Sequence, residues 1–283
     1  MKKKKSLSYY VGILFMIVFL AALVVFTLFP VVYAVLGAFK TNFELVSGAG
    51  FWPKECQWEN ITYALERMNF LQYTGNSMFL CIVCTVLSII ISSLGGYCLG
   101  RYDFPGKKII MGVNYSLMFI SLGSVVLFPI YNLMDSLGLT STLIGLALVL
   151  TGGQSSNIVL VRGFVNNLPK ELDESAAIDG ATPFQIYSRI IFPLLRPILA
   201  TVGVFTFRNV WNDYLTSMVF TIGQKELKTL TVATVALRYS ANAAAEWHIM
   251  CAGVVISMVP ILIVYVFANK QLISGLTAGA VKG

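Results

Sequence analysis

Apolar positions in this chain come in long unbroken runs, not in the stripes of a surface helix or the alternation of a half-buried strand. Residues 9–39, 68–100, 109–134, 136–161 and 247–269 contain no Lys, Arg, Asp or Glu. Each run is longer than the roughly 20 residues that a helix rising about 1.5 Å per residue needs to cross a hydrocarbon layer about 30 Å thick. A further apolar span, about 197–222, is interrupted by Arg208 and Asp213. The pattern predicts six crossings, the fifth interrupted by charge. Between them lies one stretch that hydrocarbon could not hold: residues 171–197, ELDESAAIDGATPFQIYSRIIFPLLRP.

Composition agrees with this class. Hydrophobic residues make up 57% of the 283 and charged ones 12%, against about 25% charged in a soluble domain. The chain reads as an all-α integral membrane protein. Its first run follows MKKKKS, exceeds the roughly 7–15 apolar residues of a secretory signal and lacks a small-residue cleavage site, which predicts an uncleaved first helix. With the N-terminus inside, the inner segments hold thirteen Lys and Arg, including Lys2–Lys5, and the outer segments six. That bias obeys the positive-inside rule and predicts that both termini and the 171–197 loop are cytoplasmic. The net charge of +7 then reflects topology, with no patch suited to nucleic acid.

Several chemistries find no support. Five cysteines are an odd number, four of them (Cys81, Cys84, Cys98, Cys251) in apolar spans; Cys81 and Cys84 read as small packing residues, not a redox pair. No G-x-x-x-x-G-K-[ST] phosphate loop is present. His248, the one histidine, has no neighbour at metal-ligand spacing. No enzyme site, metal site or bound cofactor is expected.

The connecting segments carry local signals. The outer segment 40–71 contains Phe51, Trp52, Pro53 and Trp58, suited to headgroup level. Residues 101–108 form an inner turn with Pro105-Gly106 at its bend. Gly96 and Gly100, four apart, permit close helix packing. In the charged stretch, Pro169 suits the first turn of a helix whose Glu171, Asp173 and Glu174 face the positive end of the helix dipole. Asp179-Gly180 ends that helix with a left-handed glycine. Thr182 as N-cap, Pro183 at N1 and Gln185 at the capping-box position start a second one. Phe184, Tyr187, Ile190 and Ile191 give it an apolar face until Pro193 breaks the run. Such a helix, corner and helix reads as a docking element for a cytoplasmic partner.

The run from Pro169-Lys170-Glu171-Leu172 through Ala177-Ile178-Asp179-Gly180-Ala181 to Ile190-x-x-Pro193-Leu194-x-x-Pro197 resembles the EAA loop of ABC importer permeases, with Glu174-Ser175-Ala176 standing where the family has Glu-Ala-Ala. The stretches at 129–134, 138–142, Trp211-Asn212-Asp213-Tyr214 and 275–283 are similar to the maltose-type carbohydrate permeases, in particular their second permease. The resemblance implies a type I ABC importer permease fold with a coupling-helix loop over 168–197. Glu171, Glu174, Ser175, Ala176, Asp179, Gly180, Ala181 and Pro193 would be its coupling residues. It further implies a homologous second permease, an ATP-binding cassette ATPase dimer that uses ATP and Mg, an extracytoplasmic solute-binding protein and a carbohydrate substrate, in the cytoplasmic membrane of a bacterium.

On this reading residues 1–70 form the N-terminal tail, first helix and outer loop, residues 71–268 the transporter core, and residues 269–283 a slim C-terminal tail extended toward the ATPase interface. Polar side chains inside the spans are the candidates for the substrate path: Asn114, Ser116, Asn209, Asn212, Asp213 and Tyr214. The plainer reading pairs Arg208 and Asp213 with each other or with neighbouring helices and makes Trp211 or Tyr214 a packing residue. The outer run 241–245 is either a plain connection or a probe of the binding protein. Two other functions remain open at this point: import of another solute, such as a glycerol phosphate or polyamine, and a stand-alone secondary transporter, which would be expected to show internal repeats.

Overall fold

Unpaired main-chain groups are costly in hydrocarbon, so long charge-free runs without a closed barrel cross as helices. The computed structural model describes residues 7–48, 50–120, 123–239 and 245–280, with side chains described only between residues 9 and 266. Lys2–Lys5 and most of the 241–245 run lie outside these residues. In chain order the helices are α1 (Leu7–Ala38), α2 (Asn42–Val46), α3 (Glu59–Arg67), α4 (Phe70–Arg101), α5 (Lys107–Phe119), α6 (Leu127–Ser136), α7 (Leu143–Thr151) and α8 (Ser155–Asn166). After them come α9 (Glu171–Ile178), α10 (Pro183–Gln185), a π turn (Ile186–Ile191), α11 (Phe192–Leu194), α12 (Arg196–Trp211), α13 (Leu215–Phe220), α14 (Leu230–Ala236) and α15 (Trp247–Ala280). Among the described residues there is no strand beyond one isolated bridge, Tyr239 to Ala245.

Among the described residues three uninterrupted helices are long and apolar enough to cross a membrane: Tyr9–Ala38, Phe70–Arg101 and Trp247–Val266. Two bent pairs, Leu143–Thr151 with Ser155–Asn166 at 54° and Pro183–Leu194 with Arg196–Trp211 at 76°, raise the number to five only where each pair counts as one span. The remaining expected span, 109–134, is divided between α5 and α6, with a 3₁₀ turn at Gly123–Val126. The expected span at 197–222 is also divided: α12 stops at Trp211, and α13 starts after Asp213 accepts hydrogen bonds from Ser217 N and Oγ, both at 2.8 Å. The bend between α7 and α8 follows from Gly152-Gly153, where Gly153 has φ +74°. The C-terminal segment is helical to Ala280, where an extended tail was expected.

The chain divides into two compact units: residues up to Asn69 with Thr234–Val259, and Phe70–Ala233 with the segment from Pro260 onward. In the first, α1 exposes its apolar side chains almost throughout, while Gly37 lies against Cys251 of α15. Below α1, Lys40 is buried and donates to the Gly50 carbonyl at 2.8 Å, and Asn60 ties the carbonyls of Ala38 and Lys40, each at 2.9 Å. Asn42 bonds Ala245 O and Trp247 N, and Arg67 pairs with Glu246. Trp52 and Trp58 are exposed.

The second unit is organised on α4. A Cβ on Gly96 would lie 2.7 Å from Val161 Cγ1 and 2.9 Å from Arg162 N, and one on Gly100 would lie 2.8 Å from Val165 Cγ1. Both glycines therefore let α8 approach the α4 backbone directly, as their spacing predicts. Nearer the middle, Gln154 Nε2 donates to Ser88 Oγ at 2.8 Å and to Thr151 O at 2.7 Å, so the α7–α8 bend is tied to α4. Cys81 and Cys84 are buried free thiols whose Sγ atoms approach the carbonyls of Phe207 and Ala147. They pack, as expected. Gly96→Val is expected to cost about 1–3 kcal/mol through overpacking, read as a lower melting temperature in detergent; unchanged melting would contradict the close α4–α8 seat.

Candidate functional site

The charged stretch folds by its own caps. Glu171, Asp173 and Glu174 occupy the first turn of α9, where carboxylates meet unpaired N–H groups. Lys170 is the N-cap, so Pro169 lies before the helix and not in its first turn; it stiffens the approach instead. α9 ends at Asp179, and Gly180 turns the chain at φ +81°. Thr182 then caps the second arm: Gln185 N donates to Thr182 Oγ1 at 3.4 Å, Thr182 N donates to Gln185 Oε1 at 2.8 Å, and Pro183 sits at N1.

Pro193 does not end this arm. The Phe192 N–H bonds back five residues to the Tyr187 carbonyl, closing the π turn, and the helical run continues to Leu194. The wider turn shifts the register just before the proline, which has no N–H to place in it. The chain bends after Leu194, into the Arg196-Pro197 start of α12.

Both arms are fixed to α4 along one stripe. Ser93, Tyr97 and Arg101, four residues apart, share a helix face. Arg101 Nε lies 3.0 Å from Asp173 Oδ2, and its two terminal nitrogens donate to Leu168 O at 3.1 Å and Pro169 O at 3.0 Å. The Tyr97 hydroxyl donates to Asp173 Oδ1 at 3.0 Å. Ser93 Oγ and the Tyr187 hydroxyl are 2.7 Å apart, and the Tyr97 and Tyr187 rings pack at 5.5 Å. Ala176, Ile186, Tyr187 and Ile191 enter one buried cluster with Val161, Val165 and the start of α12.

The opposite face of the loop is open. Ile178 is 86% exposed, Phe184 70% and Leu172 36%, around the exposed Glu171, Glu174, Ser175, Asp179 and Gly180. Phe184 was expected on the apolar inner face; its place at the second position of the arm, one turn before Tyr187, leaves it outside the cluster. Of the candidate coupling residues, Ala176 faces the chain's own core, and Ala181 packs against the same cluster. The neighbouring inner turn carries its own ion pair. Lys107 Nζ donates to Asp103 Oδ1 at 2.9 Å, and this bond together with the lysine charge holds the Asp103 carboxyl below the usual carboxylate range. Because the folded value is depressed, the pair's contribution is present above the ordinary carboxylate pKa of about 4 and disappears as pH falls through the folded value.

Four of the six candidate path residues meet. Asn209, Asn212, Asp213 and Tyr214 line a cavity of about 810 Å³ together with Arg208 and Leu215. Asn114 is not among its lining residues; it bonds the Ile110 carbonyl of its own helix at 2.9 Å. Ser116, also on α5, does not line it either. Among the described residues Arg208 and Asp213 form no ion pair with each other; Asp213 Oδ2 instead accepts from Ser217 N and Oγ of α13. Trp211 is buried and stacks on Phe207 at 5.9 Å, a packing role. Among the described residues no cluster of His, Cys, Asp or Glu suits a metal ion. Sequence reasoning missed the Ser93, Tyr97 and Arg101 stripe, although its four-residue spacing ending in a charge was visible.

Comparisons with known proteins point the same way. Residues 91–274 match the family described as the inner membrane component of binding-protein-dependent transport systems. The diacetylchitobiose uptake system permease protein of Streptomyces coelicolor is 31% identical over 257 residues, 90% of this chain and 92% of its own. An arabinooligosaccharides transport system permease protein of Halalkalibacterium halodurans is 32% identical over 261 residues, 90% of this chain and 91% of its own. The fold is that of a chain in the crystal structure of a bacterial ABC transporter involved in import of the acidic polysaccharide alginate, with a TM-score of 0.80, 22% identity and coverage of 95% of this chain and 99% of that one. For the loop itself, Thr182→Ala is expected to cost about 1 kcal/mol of local stability, seen as faster amide hydrogen exchange at Gln185; unchanged exchange there would contradict the capping box.

Proposed function

Since the chain belongs to the family of inner membrane components of binding-protein-dependent transport systems, we propose that it imports an oligosaccharide, driven by an ATPase pair seated on the 171–197 loop. The chain is a multi-pass permease subunit and not itself an enzyme. ATP and Mg belong to the partner ATPase. A solute-binding protein delivers the sugar on the outer side, and both termini of this chain are cytoplasmic, which the thirteen-to-six distribution of Lys and Arg supports.

The observation that carries this reading is the two-sidedness of the loop. Its inner side is built into the core through Ala176, Ile186 and Tyr187, while Leu172, Ile178 and Phe184 project from its outer side. Exposed apolar side chains on a capped, fixed element are what a protein partner's cleft would bury. Glu171, Glu174, Ser175, Asp179 and Gly180 make the rim of that contact. Ala176, Ala181 and Pro193 shape the loop behind it. The substrate class rests on the names of the relatives, two of which concern oligosaccharides.

The path runs between this chain and a homologous second permease. Asn209, Asn212, Asp213 and Tyr214, which share one cavity, offer hydrogen bonds and a ring face to sugar hydroxyls. Asn114 and Ser116 are assigned to the same path at a separate point.

Two outcomes test this. Liposomes containing the complete complex should accumulate labelled arabino-oligosaccharide or diacetylchitobiose only when ATP and the binding protein are both supplied. Accumulation without ATP would contradict the reading. Gly180→Val should hydrolyse ATP while accumulating little sugar, because a β-branched residue at φ +81° is strained by about 1–2 kcal/mol and distorts the corner. Normal ATP-driven uptake by the assembled variant would overturn the role given to that corner.

A further inference from the structure

A loop that receives movement from another subunit is useful only if a transmembrane helix moves with it. We propose that Tyr97 and Arg101 of α4 are positioning residues that clamp Asp173 of α9, so that motion applied to the loop is delivered to α4 as to one body. The proposal rests on the importer reading above and adds the joint through which that importer's drive passes.

Four features of the joint support a transmitting role. First, the guanidinium of Arg101 makes two kinds of contact: Nη1 and Nη2 donate to the carbonyls of Leu168 and Pro169, and Nε lies 3.0 Å from Asp173 Oδ2 as an ion pair without hydrogen-bond geometry. A planar fork fixes orientation as well as position, which a lysine's single ammonium cannot do. Second, Asp173 is held from two sides, its other oxygen taking the Tyr97 hydroxyl at 3.0 Å. The Tyr102 hydroxyl stands 3.2 Å from that of Tyr97, and since Tyr97 spends its proton on Asp173, Tyr102 is the donor in this second bond. Third, the pair is shielded, with side-chain exposures of 5% for Arg101 and 20% for Asp173. Solvent therefore competes weakly for these bonds.

The fourth feature is that the same stripe holds the other arm as well. Ser93 meets the Tyr187 hydroxyl one turn farther along α4. Tyr97 lies between the two contacts, bonded to Asp173 and packed on Tyr187. The corner at Gly180 can flex only between two fixed points. Its apolar outer face is free for a partner, and both of its roots are on the helix behind it. From Arg101 the helix runs unbroken to Phe70, 32 residues with no proline to absorb the movement. Its far end reaches the segment after α13, where Asn76 Nδ2 donates to the carbonyls of Glu226 and Lys228 at 2.7 and 3.0 Å.

Coupling between two sites is reciprocal, so the clamp can be read from the ATPase without knowing the sugar. The measurement is the factor by which the extracytoplasmic binding protein raises ATP hydrolysis by the complete reconstituted complex. In Arg101→Lys and in Tyr97→Phe, unstimulated hydrolysis and subunit stoichiometry should match the unmodified complex, while the stimulation factor falls by about threefold or more. Adding Asp173→Asn to Arg101→Lys should cause little further loss, because both substitutions open one joint. Tyr97→Phe removes a single hydroxyl and keeps the test decisive should a charged variant fail to assemble. Full stimulation in the assembled variants would overturn the clamp. So would an equal fall in basal and stimulated hydrolysis, which is what simple damage to the loop would produce. An unmodified complex that shows no stimulation at all would instead overturn the importer reading.

Discussion

The fold turns on one requirement: a charged segment that cannot enter hydrocarbon must be joined stiffly to helices that cannot leave it. Apolar packing alone could hold the loop against α4, but packing permits sliding. The Arg101 fork, gripping Asp173 and the carbonyls of Leu168 and Pro169, sets both distance and angle at the point where the chain leaves the membrane helices. A half-shielded ion pair of this kind adds little net stability over an apolar substitute. Its value lies in fixing one arrangement.

Much of the second unit is arranged around that joint. α4 offers one face to the loop through Ser93, Tyr97 and Arg101, and another to α8 through Gly96 and Gly100, whose missing side chains let the backbones meet. The 76° bend between Leu194 and Arg196 then turns the chain from the loop into α12, and α12 ends at the cavity lined by Asn209, Asn212, Asp213 and Tyr214. Loop, joint, helix and polar cavity form one continuous structure. The π turn before Pro193 is part of it, since it lets a proline follow the buried Tyr187 and Ile191 without breaking the arm.

The most legible part of the chain was also the most local. Caps depend on neighbours within four residues, so Thr182, Pro183, Gln185 and the Gly180 corner could be placed from the sequence, and the structure has each of them as expected. What depends on distant residues was not legible. Phe184 and Tyr187 look alike in a sequence, and only the packing of α8 and α12 decides that one is covered and the other is not. Asn114 and Asn209 were equally plausible polar residues until the helices were placed, and only the second lines the cavity. The Arg101–Asp173 pair joins residues far apart in the chain; the spacing of Ser93, Tyr97 and Arg101 marks one face of α4 but does not name the partner that face meets. The α7–α8 bend is an intermediate case: Gly152-Gly153 gave a local signal that the surrounding apolar run concealed.

The central claim is that the outer face of the 171–197 loop is a cytoplasmic seat for an ATPase. Its most direct test is thiol labelling of Ile178→Cys by a membrane-impermeant reagent, compared with the unmodified chain, in vesicles of both orientations and with or without the ATPase subunits. Labelling only from the cytoplasmic side, lost when the ATPase is bound, is the predicted result. Labelling from the outer side, or labelling that the bound ATPase leaves unchanged, would contradict it.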